Sequence, residues 1–299
     1  MAPQHASHLR NPLAAPDQLA SSGSQLDGIP PDLEDSIRFA GARLTQLAGI
    51  LLRLPEDIVA HAIVLYTRFW AGAEGGSLRE YGAKDVSAAA LYLTAKLSAY
   101  PRPPRAVVNV YAYLDSFAST FVDAPKFQEA VDPESYYVTE GTYHALRAIL
   151  MKTEAHILRV LGFDTHVALP YTLIINYLQT LGLTFDGGAG TQVAKRAFAH
   201  LNTALLSPQL LYLTHQPPSL ATAAIYLAAR EVEVKLPGEE WWEVFDTDRE
   251  ELGFLVVAMT SMPGFAQDEK AKWGRRKVPM SLDDVEAELE RRRMLEEGQ

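Results

Sequence analysis

The side chains able to perform chemistry are few, and their spacing does not build a catalytic or metal-binding site. The 299 residues contain no cysteine, which excludes disulfides, thiolate zinc sites, iron–sulfur clusters and a cysteine nucleophile. The 8 histidines are scattered, and no two have the i, i+4 spacing that places a pair of imidazoles on one helix face. No local arrangement of Ser, His and Asp supports a hydrolase. These patterns leave an enzyme unsupported but do not exclude one, and we expect neither a metal nor a cofactor.

A glycine-rich loop at residues 187–191 is a candidate anion site. It precedes a predicted helix, and the amino end of a helix attracts anions. The loop lacks both the Lys-Ser or Lys-Thr ending and the preceding strand of a phosphate-binding loop. The pattern favours an ordinary connection between two helices.

One basic cluster stands out in an acidic chain. The sequence has 27 Lys and Arg against 37 Asp and Glu, a formal charge of −10, which argues against general binding to a phosphate backbone. The cluster is compatible with a nuclear import signal, a weak RNA contact or a solvated linker. It lies beside Trp273 and comprises Lys270, Lys272, Arg275, Arg276 and Lys277.

The elements that position these residues are predicted to be helices. Residues 1–30 are rich in Ala, Pro, Ser and Gln and predict a disordered leader. Apolar residues then recur every three to four positions, the period of an amphipathic helix. The third helix is small and apolar on nearly every side, which is typical of a buried helix. The predicted helices cover about 33–51, 55–70, 84–98, 105–117 and 143–162, with a polar insertion at 119–138.

The sequence of the third helix returns later in the chain. Residues 89–96 read AALYLTAK and residues 223–230 read AAIYLAAR, with five of eight positions identical. A repeat this long indicates a duplicated domain rather than a solenoid. Further helical patterns surround the second copy, at about 171–183, 191–206, 239–246 and 248–262.

These patterns predict an all-α protein with two tandem five-helix domains, at residues 31–165 and 166–265. Residues 266–299 are predicted to be a basic linker followed by a charged helix. Ser281 is its expected N-cap, with acids in the first turn and Arg291–Arg293 near the end, as the helix dipole favours. No run approaches the roughly 18 apolar residues of a membrane span.

This architecture and several segments resemble the cyclin family. The ends of the third and fifth helices, Tyr92–Leu97 and Lys152–Phe163, are similar to the two segments with which cyclins hold their kinase. Within the family, L-type cyclins are the members that the sequence resembles. That similarity is carried by Ala48–Pro55, by Pro101–Arg105 leading into Val107–Val110, and by Tyr226–Arg230.

The resemblance implies a kinase-binding site. Lys96 and Glu154 would grip the kinase backbone near its mobile regulatory helix, and Leu97 and Phe163 would flank them as apolar contacts. An ammonium offers three donors to carbonyls, and a carboxylate accepts from N–H groups, both strengthened by charge. The alternative is that Lys96 only caps a helix end and Glu154 is a solvated residue.

The sequence also departs from the family pattern. Thr67 replaces the aspartate that usually pairs with the arginine matched here by Arg38. The substrate-docking patch of cell-cycle cyclins falls at Ile37, Gly41 and Leu44 and lacks its tryptophan, so we do not expect docking of that type. L-type cyclins carry a long Arg-Ser tail that is not present here, which suggests a truncated chain or a shorter relative.

The function implied by the resemblance is that of a regulatory subunit that binds and activates a cyclin-dependent kinase. The expected partner is the PITSLRE-type kinase that pairs with L-type cyclins, in nuclear control of transcription and pre-mRNA splicing. Splicing or transcription factors are further possible partners, whereas membranes and nucleic acid are not expected. The alternative is a tandem cyclin-fold general transcription factor that binds promoter DNA. Such factors usually carry a zinc ribbon with cysteines and a basic DNA face, which this sequence lacks.

Overall fold

The computed structural model describes residues 9–121, 136–185, 187–236, 238, 240–274 and 276–298. Within these residues all regular secondary structure is helical, which confirms the all-α prediction. The chain divides into two compact units. The first unit contains residues Ala15–Thr165 and Gln267–Gln299, and the second unit contains Met1–Ala14 and His166–Ala266.

The first unit contains a helix over each of the five stretches predicted for the first repeat. Most of its helices begin next to proline or a capping hydroxyl, because these residues suit the unpaired N–H groups of a first turn. Part of the polar insertion, residues 122–135, lies outside the described residues. The helices are α1 (Pro16–Ala20), α2 (Gly23–Leu26), α3 (Pro31–Leu51), α4 (Glu56–Phe69), α5 (Ala83–Leu97), α6 (Pro104–Asp115) and α7 (Glu140–Val160).

Helix α5 is the centre of the first unit, since it contacts α3, α4, α6 and α7. Many of its buried residues are alanine, and such small side chains let neighbouring helices approach closely. A chain of buried hydroxyl groups also fixes the orientation of these helices relative to one another. Ser87 of α5 lies 2.7 Å from the hydroxyl of Thr45 and 2.7 Å from that of Tyr111, which links α3, α5 and α6.

Helices α3 and α4 approach so closely that position 41 requires glycine. A Cβ atom at Gly41 would lie 1.9 Å from the hydroxyl oxygen of Tyr66. The Tyr66 side chain is fully enclosed, at 1% exposure, so it has no room to move away.

The second unit is built around α11, which carries the repeated AAIYLAAR sequence and contacts α8, α9 and α10. The stretch predicted as a helix over 239–246 is instead a 3-10 helix of five residues, Trp241–Phe245. Left-handed residues at both of its ends, Glu240 and Asp246, keep it from extending. The α-helices are α8 (Tyr171–Thr180), α9 (Ala189–Ala204), α10 (Leu211–Thr214), α11 (Pro217–Glu231) and α12 (Arg249–Trp273), whose residues from Gln267 onward are assigned to the first unit.

Residues 9–30 are ordered, which differs from the disordered leader predicted for residues 1–30. Asn11 is buried within the second unit, where its side chain both donates to and accepts from the backbone of Ala168, at 2.9 and 2.8 Å. Its backbone makes two more hydrogen bonds, to the side chain of Gln216. Composition averaged over thirty residues does not reveal such single polar anchors. Residues 1–8 lie outside the described residues.

The predicted charged helix is present as α13 (Leu282–Glu297) and is bound to the first unit. Ser281 and Asp284 form the capping box expected at its start. Val285 and Leu289 are buried. Glu288 accepts from Arg276, Arg291 and Arg292, and these guanidinium groups, Arg291 first, lower the pKa of Glu288 to about 2.

Substituting Gly41 with alanine should destabilise the first unit. The added methyl group overpacks the contact with Tyr66, which costs about 1–3 kcal/mol of unfolding free energy. Gly253→Ala is the matched control, because no atom lies within 4 Å of its added Cβ, and alanine favours a helix by up to about 1 kcal/mol. Urea denaturation measures both. If Gly41→Ala does not lower the unfolding free energy more than Gly253→Ala does, the tight contact with Tyr66 is contradicted.

Acid should loosen α13. Because the folded-state pKa of Glu288 is about 2, below its ordinary 4.5, its carboxylate stabilises the fold above about pH 4.5 and loses that contribution as the pH falls toward 2. We expect hydrogen exchange of residues 282–297 to rise in this window, beyond the intrinsic effect of pH. In Glu288→Gln the helix should already exchange faster at neutral pH, and protection unaffected by either change would rule out the charge cluster as its anchor.

Candidate functional site

The structure pairs the two charged residues of the predicted site. Nζ of Lys96 donates a hydrogen bond to Oε1 of Glu154, and the pair joins the end of α5 to the middle of α7. The Lys96 side chain is 47% exposed, whereas that of Glu154 is 9% exposed. The carboxylate is therefore held inside the fold, while about half of the lysine side chain remains accessible.

The local sequence explains why Lys96 stands where it does. It lies in the last turn of α5, where a cation interacts favourably with the helix carbonyls. Helix α5 ends there because Ser98 is extended, at φ −93° and ψ 179°. The ammonium also lies 5.4 Å from the centre of the Tyr92 ring, one turn earlier, in a cation–π contact. Lys96 is thus oriented by its own helix as well as by Glu154.

The two predicted apolar contacts are both exposed. Leu97, which follows Lys96, is 58% exposed, and Phe163, which follows α7, is 71% exposed. Gly162 and Phe163 both adopt left-handed backbone, with φ of 58° and 63°, which turns the chain at the end of α7. A left-handed aromatic residue is uncommon, and the result here is a ring presented to solvent.

Helix α7 has an outer face that the sequence reasoning missed. Its exposed residues recur every three to four positions and are mostly small or apolar, which would let a partner helix approach closely. The sequence pattern that could have indicated this face is the spaced alanines Ala145, Ala148 and Ala155, on the side of the helix opposite the buried residues Leu150 and Ile157. We call this surface the α7 face, and it comprises Ala145, Ala148, Ile149, Lys152, Ala155 and Arg159.

The residues that depart from the cyclin pattern make other contacts within the first unit. Arg38 forms ion pairs with Glu34 and Asp35 on its own helix, and the hydroxyl of Thr67 donates to a carbonyl of α4. Ile37 is fully buried, so it is not available as a surface contact.

The basic cluster is partly engaged within the first unit. Lys272 pairs with Asp32, and Lys277 donates to the backbone carbonyl of Asp115. Trp273 is 2% exposed. Arg275 lies outside the described residues. Part of the basic cluster is therefore held against the first unit.

Two further features bear on the type of protein. Among the described residues, no group of three or more His, Asp or Glu side chains is arranged to hold a metal ion. No helix in the same part of the chain is long and apolar enough to cross a membrane.

Comparison with known proteins gives no matching family model but clear relatives. The chain is 29% identical to Cyclin-L1 of Gallus gallus over 287 residues, covering 96% of this chain and 48% of that protein. It is 30% identical to Cyclin-L2 of Mus musculus, covering 95% and 49%. Identity to Cyclin-L1-1 of Arabidopsis thaliana is 31%, covering 83% and 55%. The chain thus spans about half the length of the curated relatives it matches.

Solved structures share the fold. A chain of the yeast RNA Pol II CTD kinase CTDK-1 complex matches with a TM-score of 0.66 at 14% sequence identity, covering 95% of this chain and 84% of that chain. A chain of the CAK complex from Chaetomium thermophilum bound to ATP-gamma-S gives 0.55 at 15%, covering 89% and 80%. At these identities the likeness establishes the fold, and it agrees with the predicted tandem cyclin boxes.

Removing the ammonium of Lys96 should weaken the fold measurably. Lys96→Met keeps the aliphatic stem but leaves the buried Glu154 carboxylate without this donor, at a cost of about 1–3 kcal/mol of unfolding free energy. Lys152→Met is the control on the exposed α7 face, and we expect a change within about 0.5 kcal/mol there. Thermal and urea unfolding report both values, and equal effects of the two variants would show that the pair adds nothing to stability.

Proposed function

We propose that this chain, which belongs to the cyclin family and is similar to its L-type members, binds a cyclin-dependent kinase and activates it without performing chemistry of its own. The observation that carries the proposal is the Lys96–Glu154 pair, beside exposed Leu97 on α5 and on the same helix as the α7 face. The fold supplies these groups already positioned, because α5 and α7 pack against each other.

The pair suits recognition of a protein backbone. Lys96 has three N–H donors, of which Glu154 takes one, so the accessible ammonium can also donate to carbonyls of a partner. Glu154 fixes the ammonium in place, which reduces the entropy lost on binding. Leu97 and the apolar part of the α7 face would be covered by the same partner, and their burial would contribute to affinity.

Activation then follows from selective binding. A kinase is active when the glutamate of its regulatory helix pairs with the strand lysine that holds the nucleotide phosphates. A rigid helical surface that fits only this arrangement shifts the kinase toward it. A shift from 1:99 to 99:1 requires about 5.5 kcal/mol of preferential binding. An interface of roughly 2,000 Å² with apolar anchors is large enough to provide it.

A finer proposal follows from the resemblance to L-type cyclins alone. We propose that this chain acts in nuclear control of transcription and pre-mRNA splicing, with a PITSLRE-type kinase as its partner and with splicing or transcription factors as further partners. Direct DNA binding is less well supported, because the chain carries a formal charge of −10 and part of its basic cluster is engaged within the first unit.

Reversing either charge should abolish kinase binding. Lys96→Glu removes the donor to the partner's carbonyls, and Glu154→Lys places a like charge against Lys96, so we expect affinity to fall by roughly 100-fold or more, as for removal of a buried interfacial charge. Calorimetric titration against candidate kinases measures this. Lys195→Glu is the charge-matched control, because Lys195 is an exposed residue of α9 in the second unit. This variant should bind the kinase as the wild type does.

The double variant Lys96→Glu, Glu154→Lys separates recognition from folding. It restores an ion pair within the chain but reverses its polarity toward the partner. We expect near-normal stability together with lost kinase binding. Wild-type affinity in this variant would refute the assignment of the site.

A further inference from the structure

A short extended segment lies in a groove of the first unit. Residues 277–280, with the sequence Lys-Val-Pro-Met, connect α12 with α13 and have no regular secondary structure. Val278 is 1% exposed, and Pro279 is also buried. The apolar part of the groove comes from α3, from the end of α6 and from the residues that follow it, with Leu44, Leu47, Leu114 and Phe117. The lining also contains polar residues, namely Lys84, Asp115, Ser119, Thr120 and Asp284.

The first unit makes two hydrogen bonds to the backbone of this segment. The N–H of Val278 donates to the hydroxyl of Thr120 at 2.9 Å. The carbonyl of Met280 accepts from the N–H of Lys84 at the start of α5, at 3.1 Å. Backbone contacts of this kind hold an extended chain with little regard to its side chains, which leaves specificity to the pockets and charges.

The charge at the head of the segment is matched by the groove. Nζ of Lys277 donates to the backbone carbonyl of Asp115 at 2.6 Å, and the carboxylate of Asp115 lies 3.8 Å away. The same carboxylate also accepts from the ammonium of Lys84 at 2.8 Å, so Lys277 is held mainly by the backbone carbonyl. The fit is incomplete, because a cavity of about 60 Å³ remains between the segment and the leucines of α3.

Helix α13 tethers the segment in place through its buried residues Val285 and Leu289 and through charged contacts at its surface. Arg292 makes two hydrogen bonds to the carboxylate of Asp32, and Arg79 pairs with Glu286. The carboxylate side chains of Asp32 and Glu286 are 56% and 61% exposed. Ion pairs at such positions are individually weak and are screened by salt. The segment is therefore held both by its own contacts in the groove and by a tether that keeps its local concentration high.

We propose that this groove is an intramolecular docking site and that residues 277–280 are its releasable occupant, held in part by the surface ion pairs of α13. Release of α13 opens a largely apolar groove with Asp115 and Lys84 at one end, without unfolding the helices that form it. This device does not involve Lys96 or Glu154, so its failure leaves the proposed kinase site untouched.

The test uses the full chain and a labelled peptide of residues 274–282. In Arg292→Glu the new carboxylate faces Asp32 and Glu288, so α13 should detach. We expect exchange of the Val278 amide to rise at least ~10-fold, and the peptide to bind at least ~10-fold more tightly than to wild type. Arg293→Glu is the control, since Arg293 is exposed and adjacent. A peptide carrying Lys277→Glu and Val278→Asp should not bind.

Two outcomes would overturn the proposal: exchange in Arg292→Glu no faster than in Arg293→Glu, or equal binding of the altered peptide. If Arg292→Glu also exposes the amides of α5, the wild-type chain supplies the second measurement. Raising the salt concentration from about 0.05 to about 0.5 M shortens the screening length. The Val278 amide should then exchange faster while α5 stays protected. No change at Val278 would show that the segment is a permanent part of the core.

Discussion

Burial of α5 on all sides is the constraint on which the first unit depends. Four helices pack around it, which is possible because its buried side chains are mostly small. The linked hydroxyls of Thr45, Ser87 and Tyr111 then fix how α3 and α6 meet it. Since α5 cannot rotate without breaking these contacts, the direction of Lys96 at its end is also fixed. The packing of the core thus determines where the charge of Lys96 lies at the surface.

The function proposed for the chain depends on the position of Lys96 in both the free and the kinase-bound protein. Glu154, buried in α7, orients the lysine within the free protein, and the accessible part of the ammonium remains able to donate to another chain. The exposed side chains of Leu97 and Phe163 add apolar area at the ends of the same two helices. A rigid surface of this kind loses little entropy on binding and can therefore favour one conformation of its partner.

Much of the fold could be predicted from periodicity, because a buried helix must place apolar residues at regular spacing. Helices α3 to α7 of the first unit, the repeated central helix and the Ser281 cap follow from such local patterns. Asn11 could not be predicted, since its partner Ala168 is 157 positions away. Lys96 and Glu154 came from family resemblance, and nothing in the spacing of 58 residues between them indicates a contact. The α7 face was readable from its alanines, but sequence alone does not say which face is left uncovered.

The most direct test of the account is the rate of phosphate transfer by a purified PITSLRE-type kinase, measured alone and with increasing amounts of this chain. The account predicts that the rate rises at least ~100-fold and saturates at one chain per kinase, because binding shifts the kinase population to its active form. A rate that stays at the level of the kinase alone, with the complex formed or not, would contradict the account.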